Sequence, residues 1–210
     1  MFEHFPFLTI ILALTALTMA PGMDSVLVLR NAARGGFADG FTTSFGICSG
    51  LFVHATISAL GLSMILLQSA YLFMVLKFAG ALFIIYLASQ SLLAAWRGHG
   101  LVIAQEGGRP VTLFAAYREG ILSNVLNPKP ILFYMMFLPQ FIDPAQSALW
   151  QSLMVAAIHF LLGMIWQGGL ALMVHKARRY LALPLVARSL NGATGLLLLV
   201  FGIKLALTHR

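Results

Sequence analysis

The chain has 210 residues, 60% of them hydrophobic and only 9% charged, with a mean hydropathy of +0.91. Thirteen basic and six acidic residues cannot clothe a water-facing surface of this size, so lipid is the outer solvent. The net charge of +7 falls singly or in short groups between apolar segments, not along one face, which argues against a nucleic-acid-binding protein.

In chain order, the start reads as a retained helix and not a cleaved leader, because its first residues, MFEH, carry an acid where a basic cluster is needed. A membrane span needs roughly 20 mostly apolar residues. Six stretches qualify: about 6 to 29, 41 to 67, 70 to 95, 113 to 138, 148 to 174 and 187 to 207. Between them lie turn and breaker residues: Arg34-Gly35-Gly36, Gln68-Ser69, the polar stretch from Arg97 to Pro110, Asp143-Pro144, and Lys176 to Pro184. No linker marks a second domain, so residues 1–210 are expected to form a single transmembrane domain.

Basic residues set the sidedness. Arg30, Arg34, Arg97, Arg109, Arg118, Lys176, Arg178, Arg179 and Arg188 fall in or beside the first, third and fifth connections, and the second and fourth carry none. Those three connections are expected in the cytoplasm, which leaves both termini outside. Lys77 and Lys204 sit near outer span ends, where their amines can snorkel to the interface. Lys129 sits deeper.

Two spans are interrupted. The first carries Pro21-Gly22 followed by Asp24 and Ser25; the fourth carries Asn127-Pro128-Lys129-Pro130. Proline removes a backbone donor and disrupts the preceding turn, and inside lipid the freed carbonyls must find partners in protein or a watery cavity. With Pro21 laid on Pro128, His54 follows 33 residues after the first and His159 follows 31 after the second. This predicts two three-helix repeats, about 1–96 and 110–207, inverted because three is odd. Paired broken helices point to a transporter's binding site. A charge at a helix centre costs at least ~2.5 kcal/mol, so Asp24 and Lys129 are expected to face a polar interior and satisfy each other or a ligand. The alternative for Asp24 is an ordinary helix cap near the cytoplasmic interface; for Lys129 it is outward snorkelling.

The remaining chemistry is sparse. Cys48 is the only cysteine, which excludes a disulfide framework or a thiolate metal site within the chain, and it reads as core packing. His54 and His159 have apolar neighbours and no HxxxH or HxxE partner, so no metal or other cofactor is expected. Each reads as hydrogen-bonded to an adjacent helix or as a proton relay. Gly46-xxx-Gly50 is the best local case for close helix approach, and such faces permit a homodimer without demanding one.

Four stretches carry a family resemblance: PGMDSVLVLRNAARGGFADGF at 21–41, GICSGLFVHATISALGLSMIL at 46–66, LKFAGALFIIYLASQSL at 76–92, and FAAYREGILSNVLNPKPILFYMMFLPQF at 114–141. Over essentially its whole length the chain resembles the lysine exporter and homoserine/threonine resistance (LysE/RhtB) family of bacterial amino-acid exporters. The family usually has a second proline where this chain has Met23, which makes the first break softer. The resemblance implies a six-span inner-membrane carrier exporting amino acids or their derivatives in exchange for protons. In that setting Lys129 and the half-helix N-termini suit a substrate carboxylate. Asp24 suits the ammonium, with Ser25, Asn124, Asn127 and Gln167 adding neutral hydrogen bonds. Proton coupling falls first to Asp24, with His54 and His159 in reserve.

Rival classes fit less well. An intramembrane enzyme needs a nucleophile with a base or a metal triad, and four of the six histidines (His4, His99, His175 and His209) lie at or beyond span ends. A metal or other ion transporter of the same broad fold group would want clusters of His, Cys and Asp, yet the third connection has one histidine. A purely structural subunit leaves two charges beside two helix breaks unexplained.

Overall fold

The structure is a computed structural model that describes residues 6–20, 22–68, 70–97, 111–174 and 183–207. Among these there is no strand. The helices are α1 (Phe7–Met19), α2 (Met23–Gln68), α3 (Ala70–Arg97), α4 (Leu113–Val125), α5 (Pro128–Leu132), α6 (Ala148–Leu172) and α7 (Pro184–Leu207). A π turn, Phe133–Phe137, and a 3-10 turn, Leu138–Phe141, prolong α5. Four helices are long and apolar enough to cross a membrane: Met23–Gly61, Phe78–Arg97, Ala148–Leu172 and Pro184–Lys204. The pair Leu113–Val125 and Pro128–Phe141, bent by 47°, is long and apolar enough only when taken together.

The connection expected at Arg34-Gly35-Gly36 is a tight break: Gly35 (φ −124°, ψ 15°) and Gly36 (φ 77°, ψ −168°) are not helical, and α2 is two helices joined across a kink there. Gly36 has φ +77°, a conformation glycine adopts without a Cβ penalty, so the direction changes without a loop. Polar groups clamp this bend. Arg30 pairs with Glu119 of α4, and buried Asn31 donates from its amide both to Glu119 Oε2 and to Thr43 Oγ1, at 2.9 Å each. Across the bend Arg34 Nε lies 3.7 Å from Asp39 Oδ2. The connections at 98–110 and 175–182 lie outside the described residues, and with them Arg109, Lys176, Arg178 and Arg179. The same holds for the Lys77 side chain; Lys204 is exposed in the last turn of α7.

The exterior is apolar and much of the polar chemistry is inside. Leu8, Leu60, Leu82, Leu161, Ile165 and Leu172 stand out from the surface, while Asn31, Thr43, His54, Asn124, Gln151, His159 and Gln167 are buried. Lipid on the outside accounts for the first set, and unsatisfied polar groups in hydrocarbon being costly accounts for the second. Thr43, Ser44 and Thr56 each donate their hydroxyl to the carbonyl four residues earlier, which lets a polar residue sit within an apolar helix. The largest fully buried side chains are Tyr134, Phe133 and Phe137. They form the core with residues of α1, α2, α3, α6 and α7.

α1 and α4 are each 13 residues long, Phe7–Met19 and Leu113–Val125, and with Pro21 laid on Pro128 their ends agree to within one residue. At ~1.5 Å per residue each reaches about 20 Å, short of the ~30 Å hydrocarbon layer. α4 lies along α2, α2 along α6 and α3 along α7, while α1 touches α6 and α7 more lightly.

Helix α4 approaches α2 closely because glycines face each other's backbone. A Cβ at Gly46 would meet the Tyr117 carbonyl oxygen, and one at Gly120 the Thr43 carbonyl oxygen. Over-packing of this kind costs about 1–3 kcal/mol. Gly46→Val and Gly120→Val are therefore expected to lower the melting temperature of detergent-solubilised protein. Gly169→Ala, where a Cβ meets nothing within 4 Å, is expected to leave it unchanged or slightly raised.

Candidate functional site

Four helix ends converge where α1 stops, α2 starts, α4 stops and α5 starts. α1 ends at Met19, and Ala20 Cα leads out in an extended conformation. Asp24 occupies the first turn of α2, where the N-terminal end of the helix dipole favours a carboxylate. On the other side α4 ends at Val125, and Asn127 caps α5, its Oδ1 accepting from the Lys129 backbone N–H at 3.0 Å. Pro128 fills the first position of α5, where the missing N–H is harmless. The sequence element Asn-Pro-Lys-Pro thus stops one helix and starts the next.

The two charged side chains are each held by the opposite half of the chain. Lys129 Nζ donates to the Ala20 carbonyl at 2.9 Å, at the C-terminal end of α1, where a cation meets the negative end of the helix dipole. Asp24 Oδ2 accepts from Asn124 Nδ2 at 3.3 Å, in the last turn of α4. Among the described residues no ion pair within 4.0 Å joins Asp24 to Lys129. They share one cavity instead. Its volume is about 40 Å³, room for a few waters.

Of the residues singled out from sequence, Gly22, Asp24, Ser25, Asn124, Asn127, Lys129 and His159 line this cavity. Gln167 lines it too. Pro128 is exposed and does not, and Pro21 lies outside the described residues. His54 sits one layer back, its Nε2 within 3.1 Å of the Asn124 carbonyl oxygen. A carbonyl only accepts, so that nitrogen carries a proton. Gly22 sits beside the lysine: a Cβ there would lie 3.8 Å from Lys129 Nζ.

Sequence reasoning missed several participants. Tyr134 is fully buried between the two histidines, its ring stacked on His54 at 6.0 Å and on His159 at 5.9 Å, with its hydroxyl 3.2 Å from His159 Nδ1. It sits in a run of aromatic and methionine residues, and nothing local distinguishes it. Thr18, Ala20, Cys48 and Gly163 also line the cavity. The acids Asp39 and Glu119 stand near the bend of α2. They carried a readable signal, as charges at the edges of apolar segments, when only the basic residues there had been used. Among the described residues no three of His, Cys, Asp and Glu come together as a metal site would require.

A family model described as "LysE type translocator" matches residues 15–209. An uncharacterized membrane protein of Bacillus subtilis is 30% identical over 199 residues, covering 91% of this chain and 94% of that one. One from Pseudomonas aeruginosa is 30% identical over 207 residues, covering 95% and 94%. A homoserine/homoserine lactone efflux protein of Salmonella typhi is 28% identical over 196 residues, covering 93% of each chain. No solved structure matches.

The Asn127 cap sets where α5 begins and hence where Lys129 stands. Losing such a cap costs about 1 kcal/mol. Asn127→Ala is expected to lower thermal stability by that amount, and Asn127→Ser to recover most of it, in melting curves of the purified protein.

Proposed function

We propose, for a chain that belongs to the LysE type translocator family, that it exports amino acids or their derivatives across the bacterial inner membrane in exchange for protons. The Salmonella typhi relative's name, a homoserine/homoserine lactone efflux protein, supports the substrate class. The observation that carries the reading is the cavity between four helix ends, with a carboxylate on one side and an amine on the other. A zwitterionic amino acid presents the complementary pair. Asp24 takes its ammonium. The donors of Lys129 not spent on Ala20, with the exposed N–H groups of the half-helices, take its carboxylate. Ser25, Asn124 and Asn127 supply neutral hydrogen bonds.

The architecture proposed is six crossings in two inverted halves, with both termini outside. The equal lengths of α1 and α4 support it. In this arrangement α1 with the first part of α2 makes the interrupted first crossing. Export against a gradient needs a drive. Each tenfold of gradient of a net-neutral substrate costs about 1.4 kcal/mol, and one proton moving inward releases ~2.3 kcal/mol per 100 mV. One proton per substrate suffices for more than a tenfold gradient. Asp24 is the group that exchanges a proton for the ammonium, and the His54–Tyr134–His159 stack is its reserve path.

Proteoliposomes loaded with labelled L-homoserine and other amino acids test this under an imposed pH gradient. Wild type is expected to move at least one of them faster when the gradient is present. Asp24→Asn and Lys129→Ala are each expected to cut that rate about tenfold or more, in line with the loss of a charge-assisted contact. Normal rates in both variants would overturn the site.

A further inference from the structure

The cavity holds oxygens without partners. Asp24 Oδ1, Gln167 Oε1 and Thr18 Oγ1 are each buried and have no hydrogen-bond partner among the described residues, and all three residues line it. They come from three segments: the start of α2, the middle of α6 and the end of α1. Gln167 is 6% exposed. Buried polar atoms are nearly always satisfied, so three orphans around one cavity mark the place of an absent donor. Asn124 Oδ1 is also unpartnered, but it packs against Gly50, whose Cβ would lie 2.6 Å away, and it is not counted. An ammonium has three N–H donors and no acceptor, which suits a cavity whose unpartnered side-chain atoms are oxygens.

We propose that Thr18 and Gln167 are specificity-determining residues which, with Asp24, form an all-oxygen pocket for the α-ammonium of a zwitterionic substrate. The assignment rests on the reading of this cavity as the transport site. A monovalent metal ion is the other cation that oxygens of this kind hold, and charge decides between them. With Asp24 ionised, as when it holds an ammonium, Asp24 and Lys129 leave the cavity neutral. A zwitterion keeps it neutral, whereas a bare metal ion or a simple amine adds one uncompensated positive charge in a low-dielectric setting. The site should therefore prefer molecules with both charges. Removing one neutral hydrogen bond from the ammonium should weaken binding about fivefold.

The test measures melting shifts of the purified full-length protein in detergent over a titration of L-homoserine, with the protein amino acids as a panel. N-acetyl-L-homoserine lacks the ammonium and 3-amino-1-propanol lacks the carboxylate; both are expected to shift melting far less than homoserine. Gln167→Leu and Thr18→Val are expected to weaken homoserine about fivefold or more while melting normally without ligand. Gln167→Glu adds a negative charge and is expected to favour 3-amino-1-propanol over homoserine, a reversal that loss of packing does not produce. If Gln167→Leu does not fold, Thr18→Val and Gln167→Glu decide the matter. Wild-type affinity in both neutral variants, or no reversal in Gln167→Glu, overturns the assignment while the transport site stands. A wild type that responds to no amino acid overturns both. A shift by sodium chloride but not choline chloride, without amino acid and lost in Gln167→Leu, makes the pocket a metal-ion site and overturns the ammonium.

Discussion

The arrangement depends on one reciprocal interaction: each half of the chain holds the other half's charge. Lys129, placed by the break before α5, rests on the last carbonyl turn of α1, and Asp24, placed by the break before α2, receives the Asn124 amide from the last turn of α4. A charge buried on its own inside a protein costs several kcal/mol. A helix that stops inside the protein leaves carbonyls unpaired at one end and N–H groups at the other. Each defect answers the other, because a broken helix C-terminus is a cation's partner and a broken N-terminus is an anion's. The breaks and the charges have to come together, since neither is tolerable alone.

The same logic explains the close contact between α2 and α4. For Asn124 to reach Asp24, α4 must lie against α2, and bulky residues along that seam would hold it off. Gly46 and Gly120 face backbone on the opposite helix, and Gly50 faces Asn124 itself. Beside Gly120 in this seam, Glu119 meets Arg30 and Asn31 at the bend of α2. One helix pair thus carries a polar clamp at the bend, a glycine seam in the middle and the cavity at its end.

How much of this could be read in the sequence follows from how local each cause is. The break at Asn127-Pro128 was legible because a cap and a proline act on their own turn. Asp24 and Lys129 were legible because charges are rare in apolar runs, and the structure puts both on one cavity. The break at Gly35-Gly36 was legible from the glycine pair, but its tightness was not: the clamp that holds the two parts of α2 against each other comes in part from Glu119 on another helix. Tyr134 was invisible for the same reason. Its role is set by two histidines from other helices, 80 residues before it and 25 after, and its own neighbours Phe133 and Met135 resemble any lipid-facing run. Pro128 drew attention through its chemistry, yet its work is finished once it has started α5, and its side chain lies outside the cavity.

The size of the cavity bears on how such a site works. A volume of about 40 Å³ holds a few waters, so on the proposed function loading an amino acid would require the walls to part. The walls that can part at least cost are the helix ends, because their backbone hydrogen bonds are already missing and no ladder has to be broken to move them. Two hydrogen bonds that cross the cavity are Lys129 to Ala20, and Asn124 to Asp24. On the proposed function, a substrate carrying one positive and one negative group would replace both with equivalent charge-assisted bonds, and opening the pocket and filling it would be the same exchange of partners.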